Sequence, residues 1–421
     1  MNRHRRLLEL LVLGGCAFIL SKAVLSLVMD GGSTPTDGDP TWRLILSLGY
    51  LSVAFILAPY YRETLYVLRR NWFLAALVLL ALFSFLWAET PALALRRAIS
   101  ALGATLLGVA LAVRLSLEDQ LRLLSWLFRI ITLLSLACIV LLPSYGISDS
   151  VAREWRGIFD YKNALGFAMA LSILVEWHLP AHTRFSNTLN RLAMLASAVL
   201  LFFSGSLTPT LALAGSLLII EMYKLATQRL RIPRRATVLA ALLMVSFGAM
   251  LLSVNNERIT SALGRSSDLT GRTEIWSSVV SYILERPVLG YGYSGFWYGA
   301  FSQSSAVDLA MGTMIMYSHN GYLEILLNLG AVGFVLTLVF LGSGIKRAFY
   351  CSECNRSSMG LWPLAFLLFF VLQNFGECTI LLQDLEWCVC VAVVVGTDRA
   401  LFAPDAEQEG KLLLEPSEEF P

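Results

Sequence analysis

One histidine, four arginines and a row of aromatic residues fall in a single polar interval, about 255–319, of an otherwise apolar chain. His319 ends that interval, in Ser318-His319-Asn320, directly before a long apolar segment. A helix N-terminus and nearby arginines both disfavour imidazolium, so a histidine here is expected to be neutral and able to accept a proton. The chemistry that fits is general-base attack on a hydroxyl; a purely structural histidine fits the same position. Arg272, with Arg265 nearby, brings planar donors that suit phosphate oxygens. Gly271-Arg272 reads as a helix N-terminus, where unpaired N–H groups favour an anion. Headgroup-binding or solvated arginines are the plainer alternative.

On the opposite lip, Arg153, Arg156, Asp160 and Lys162 cluster. Arg156 and Lys162 either complete an anion site or pair locally with Glu154 and Asp160, which as an exposed arrangement contributes little. Tyr291, Tyr293, Phe296, Trp297, Tyr298 and Phe301 interleave with glycines. Their faces can pack on sugar rings, although aromatics also gather at any membrane interface. Asn320, Glu324 and Asn328 recur every four residues on one helical face. An ionisable residue this close to hydrocarbon is a functional suspect, with a helix-fixing hydrogen bond as its alternative. Asp160, Asn320, Glu324, Tyr291, Tyr293 and Trp297 are thus the weaker candidates for holding an acceptor or glycan. No His/Asp cluster has metal spacing, and the Cys351/Cys354 CxxC pair lacks partner ligands, so no metal is expected.

Positioning these residues falls to a membrane scaffold. The 421 residues are 57% hydrophobic and only 15% charged, which excludes an ordinary soluble globule. A formal charge of +2 lacks the basic excess that tracking a nucleic-acid backbone requires. The seven cysteines are scattered, so no disulfide framework is expected. The basic, then apolar N-terminus has no small-residue cleavage site after it and reads as an uncleaved first span. Apolar segments and the arginines flanking them predict an all-α polytopic bundle of about 12 transmembrane helices with both termini cytoplasmic. A single integral domain, 1–397, precedes an acidic tail, 398–421, expected to be disordered. The long outer loop joins spans nine and ten. Within it Ile275, Trp276, Val279, Val280, Ile283 and Leu284 share one face, predicting an amphipathic helix on the membrane surface.

Four local patterns resemble the O-antigen ligase and Wzy-type polymerase family of bacterial membrane glycosyltransferases. They are Arg156-Gly157-Ile158-Phe159 with Lys162-Asn163 and Leu165-Gly166; Gly271-Arg272-Thr273-Glu274-Ile275-Trp276 with Pro287, Gly290 and Gly292; His319-Asn320 with Gly330-Ala331-Val332-Gly333; and the softer Trp87, Pro91, Arg96 stretch. Glu285-Arg286-Pro287 and Gly290-Tyr291-Gly292-Tyr293 look most like the exopolysaccharide polymerases of that family. The resemblance implies transfer of an oligosaccharide from an undecaprenyl-diphosphate carrier to a sugar hydroxyl, at the periplasmic face of the inner membrane. On that analogy Arg156, Arg265 and Arg272, with Lys162, hold the diphosphate and His319 assists the acceptor. No cofactor enters this scheme. Membrane lipids surround the bundle, and a chain-length regulator or export complex is a candidate protein partner; no nucleic acid is expected. A lipid A core ligase or a protein O-glycosyltransferase would keep the chemistry and change the acceptor. A lipid-linked oligosaccharide transporter is the more distant reading, disfavoured by the absence of an internal repeat. The sequence departs from the family at Leu207, where many members carry an arginine, and at Phe334 after Gly333.

Overall fold

A computed structural model describes residues 3–23, 40–148, 153–225, 270–297, 303–311, 314–355 and 357–412. Among them the regular structure is helical, apart from one isolated bridge between Ile147 and Trp155. The main helices are α1 (Arg3–Leu20), α2 (Pro40–Leu57), α3 (Tyr61–Arg70), α4 (Trp72–Phe83), α5 (Pro91–Arg114), α6 (Leu117–Leu141) and α7 (Lys162–His178). They continue as α8 (Arg184–Ser204), α9 (Leu207–Leu225), α10 (Thr270–Glu285), α11 (Ser304–Met311), α12 (Gly321–Cys354), α13 (Ser358–Gln373) and α14 (Leu385–Leu412).

Five stretches, Pro40–Arg70, Pro91–Arg114, Leu117–Leu141, Arg184–Ser204 and Gly321–Cys354, are long and apolar enough to cross a membrane, which takes roughly 20 residues. With the shorter apolar helices Trp72–Leu86 and Ser358–Gln373, they make this a multi-pass membrane bundle. Predicted span nine, about 236–254, lies outside the described residues. At the centre stands α13, whose Trp362, Phe366, Phe369 and Phe370 are fully buried, as expected of a helix apolar on every side. It packs on α9 and α12, while α14 packs on α5, and α7 on α8. Helix starts carry the residues that satisfy free N–H groups: Ser116 caps α6, Thr183 makes a capping box at α8 and Ser357 caps α13. Within the bundle, Arg129 pairs with Glu176 at 2.7 Å, and the same carboxylate accepts from Ser125.

Two boundaries differ from the sequence reading. Helix α12 runs 34 residues to Cys354, well beyond the roughly 20 that a single span requires, with a break at Gly330 (φ 63°, ψ −163°). A Cβ there would lie 2.2 Å from the Val288 carbonyl, so glycine permits the Pro287–Gly292 loop to dock on the opened turn. The loop then bonds to the kink through Tyr291 N–H to Leu327 O and Ala331 N–H to Pro287 O. The second difference is at the tail. Helix α14 continues to Leu412, through the start of the segment expected to be disordered. Asp398 is buried between Arg70 (3.1 Å) and Arg347 (3.6 Å), which carries the helix past that point.

Candidate functional site

The site is built on the tripeptide that opens α12. Asn320 is its N-cap, accepting from the N–H groups of Tyr322 and Leu323. Ser318 is fixed from two sides: its N–H donates to Glu324 at 2.9 Å, and its carbonyl accepts from Trp276 of α10 at 2.9 Å. His319 is thereby held between two anchored neighbours with φ 52°, a left-handed conformation uncommon for a side-chain-bearing residue. Its imidazole lies 4.4 Å from the Tyr317 ring and keeps 27% of its side-chain surface exposed. Nδ1 is enclosed and has no hydrogen-bond partner.

Facing that nitrogen is Glu377, from the turn between α13 and α14. Gly321 makes the approach possible, since a Cβ there would lie 2.2 Å from Asn374 Oδ1. Its N–H instead donates to the carbonyls of Asn374 and Glu377. Three further groups converge on the Glu377 carboxylate. Asn163 at the start of α7 donates at 3.0 Å, Arg272 of α10 pairs at 3.4 Å and His319 Nδ1 lies at 3.8 Å. Ser206, beside α9, donates to Asn163 at 2.9 Å. Arg272 also donates to the Gly376 carbonyl at 2.7 Å and is nearly buried.

The remaining sequence candidates divide. Lys162 pairs with Glu154 at 3.0 Å, next along the chain from Asn163. Arg156 donates to the Tyr145 carbonyl at 2.5 Å and lies over the Tyr145 ring; no described ion pair joins it to the Glu377 cluster. Burial and Asp160 push the Tyr145 hydroxyl up to about 12, against the pull of Arg156. Arg265, Tyr298 and Phe301 lie outside the described residues. Tyr291, Tyr293 and Trp297, expected to present faces to a sugar, are 1–3% exposed. The Tyr291 ring packs edge-on against Tyr282 and Phe296, and the Trp297 ring edge-on against Phe296, while the polar tips of all three residues bond inward. Trp297 donates to Glu324, and Tyr293 to the Leu381 carbonyl. Glu324 accepts from Trp297, Ser318 and Asn328 and is 7% exposed. These residues hold the histidine's anchor; in this arrangement none offers a free face.

Glu377 is what the sequence reading missed. Its signal was an acidic residue inside a short turn, Asn374-Phe375-Gly376-Glu377-Cys378, between two apolar segments. The adjacent Cys378 contributes no nucleophile, because burial pushes its thiol well above the ordinary range. Tyr317 likewise stays protonated, its hydroxyl raised mainly by burial. The imidazole thus has a carboxylate beside one nitrogen and a guanidinium beyond it, an arrangement in which a neutral ring can accept a proton. Among the described residues no group of three or more His, Cys, Asp or Glu could hold a metal ion.

Comparison with known proteins agrees with these motifs. The family model described as O-antigen ligase matches residues 192–338, a span that includes Arg272 and His319 but not Asn163 or Glu377. The chain is 27% identical over 237 residues to the exopolysaccharide production protein ExoQ of Rhizobium meliloti (strain 1021). That match covers 53% of this chain and 54% of the relative, so the chain spans about half the length of the curated relative it matches. Model and relative together show the resemblance to the O-antigen ligase family and the exopolysaccharide polymerases that the His319 and Arg272 motifs carry.

Proposed function

We propose that this protein is a polysaccharide polymerase that transfers lipid-diphosphate-linked oligosaccharide repeats onto a growing glycan at the outer face of the inner membrane. The carrier is undecaprenyl diphosphate. The observation that carries the reading is the convergence of Asn163, Arg272 and His319, from three separate elements, on the single carboxylate of Glu377.

With its Nδ1 proton turned toward Glu377, His319 carries a lone pair on Nε2, and the carboxylate stabilises the imidazolium that forms. Nε2 takes the acceptor hydroxyl's proton as the acceptor oxygen bonds to the anomeric carbon. The carbon–oxygen bond to the diphosphate breaks, its electron pair leaves with the lipid diphosphate, and attack from the opposite face inverts the carbon. Fixed cations near that leaving group stabilise the developing charge. Arg272 is the cation nearest His319's partner, and Lys162, Arg156 and Arg265 are the further candidates. Arg272, Lys162 and Arg156 are each held by an internal acceptor, so phosphate oxygens bind by exchange with those acceptors. Twelve spans, cytoplasmic termini and a periplasmic site complete the reading. The transfer needs no metal or nucleotide sugar.

The test is incubation of the purified protein with a defined lipid-diphosphate repeat, following polymer length by electrophoresis. Wild type should build a ladder and Arg272→Ala should not. A wild type that leaves the repeat unextended, but joins it to added lipid A core, makes the protein a ligase.

A further inference from the structure

We propose, on the strength of the polymerase reading, that Tyr161 and Tyr317 form the acceptor subsite beside His319, with one face of the glycan's terminal sugar on the Tyr161 ring. Tyr161 is the N-cap of α7, with extended backbone (φ −146°, ψ 155°) and no side-chain capping bond. Its two successors are tied down: Lys162 pairs with Glu154 and Asn163 donates to Glu377, each at 3.0 Å. The backbone carrying Tyr161 is thus fixed next to the Glu377 cluster, while its ring is not spent on the fold.

Tyr161 is 52% exposed, yet desolvation is the chief cause that raises its hydroxyl. A side chain with protein around it and an open face lines a concavity, the form that ligand sites take. Among the described residues no hydrogen bond engages the Tyr161 or Tyr317 hydroxyl. Other tyrosines at this end of the bundle differ, since Tyr291, Tyr293 and Tyr322 donate to Glu285, Leu381 O and Val371 O.

The groups about the open ring suit a sugar. After burial, Glu377, Glu386, Asp384 and Asp160 are the neighbours that raise the Tyr161 hydroxyl. Asp384 and Glu386 bond to each other, with Lys22 acting on both. A sugar has an apolar face for an aromatic ring and hydroxyl donors for carboxylates. A diphosphate has neither ring face nor donor, and its complement is Arg272. Tyr317 links this surface to the base: its ring lies 4.4 Å from the imidazole, and its hydroxyl is close enough to feel Tyr161 and Glu377. Tyr161 therefore takes the stacking role that burial denies to Tyr291, Tyr293 and Trp297.

The test uses the full chain, purified in detergent, and the oligosaccharide of a defined repeat freed of its lipid diphosphate by mild acid. Isothermal titration reads its affinity. Tyr161→Ala should bind this oligosaccharide about tenfold more weakly than wild type, whereas Tyr161→Phe keeps the ring face and should recover most of the loss. If Tyr161→Ala fails to fold, Tyr161→Leu, which fills similar space without an aromatic face, decides in its place. Wild-type affinity in the folded variant, or no binding by wild type, overturns the proposal even where the lipid-linked repeat is polymerised. Binding that Tyr161→Ala loses, in a protein that extends no lipid-linked repeat, keeps the glycan subsite and overturns the polymerase reading instead.

Discussion

The Glu377 cluster and the Pro287–Trp297 segment meet at the same end of the bundle and use their polar atoms in opposite ways. Around Glu377, Asn163 makes an ordinary hydrogen bond at 3.0 Å, but the Arg272 and His319 contacts are long, at 3.4 and 3.8 Å, and His319 Nδ1 has no hydrogen-bond partner. In the aromatic segment polar tips are taken: Trp297 by Glu324, Tyr293 by Leu381, and Tyr291 by Tyr282 and Glu285. Bonding capacity that remains can be turned to a substrate. Capacity that is saturated fixes a shape, and here the fixed shape runs from Trp297 through Glu324 to Ser318, the residue before His319.

The largest effect that could break this contrast is at His319. Replacement by Ala should lower polymer formation by about 100- to 10,000-fold, the usual weight of a general base. The fold should survive, because no described hydrogen bond to the ring is lost. A normal melting curve with no polymer is the expected result; polymer at wild-type rate would remove the histidine from the chemistry. Glu377→Gln comes next and should damage both properties. It leaves Arg272, 9% exposed, facing a neutral amide, and breaking a buried pair from one side costs about 3 kcal/mol or more. Thermal unfolding in detergent, read beside polymer yield, separates the two variants.

How far these roles could be read from the chain depends on how local each one is. His319-Asn320 before an apolar run is a local pattern: Asn320 caps the helix it precedes, so both the residue and its place at a helix start are visible. Arg272 opening α10 is legible for the same reason. Glu377 is separated from Asn163 and Arg272 by 214 and 105 positions, and only the packing of α13 and α14 brings its turn to Gly321. The aromatics mislead for a physical reason. Tyrosine and tryptophan beside glycine suit a sugar platform and a buried loop equally well, and what distinguishes them is whether Gly330 opens α12 to receive that loop.

A smaller effect sharpens the scaffold side. Trp297→Phe keeps a ring face but removes the donor to Glu324, a bond to a carboxylate worth about 1.5–3 kcal/mol. If Trp297 is scaffold, the melting temperature falls while activity per folded molecule stays near wild type. A stacking platform would show the reverse, unchanged melting with a raised requirement for acceptor.

The smallest expected effect lies at Tyr291, where it can be separated by pH. Tyr291→Phe removes hydroxyl bonds to Tyr282 O (3.1 Å) and Glu285 (3.0 Å) and should cost about 1 kcal/mol of stability at neutral pH. The ring stays beneath Arg286, whose guanidinium lies 4.5 Å from its centroid. Burial first, and then Glu285, raise the Tyr291 hydroxyl above the ordinary tyrosine range. Since the folded form holds this proton more tightly than the unfolded chain, the stabilisation is complete below about pH 10, the unfolded value. It declines as the pH rises beyond that, because the unfolded state then gains by ionising and the folded state does not. Wild type should therefore exceed Tyr291→Phe in stability at pH 8, and the difference should narrow and then reverse above about pH 10. A pH-independent difference would mean that the hydroxyl is not enclosed, and the aromatic segment would regain an open edge.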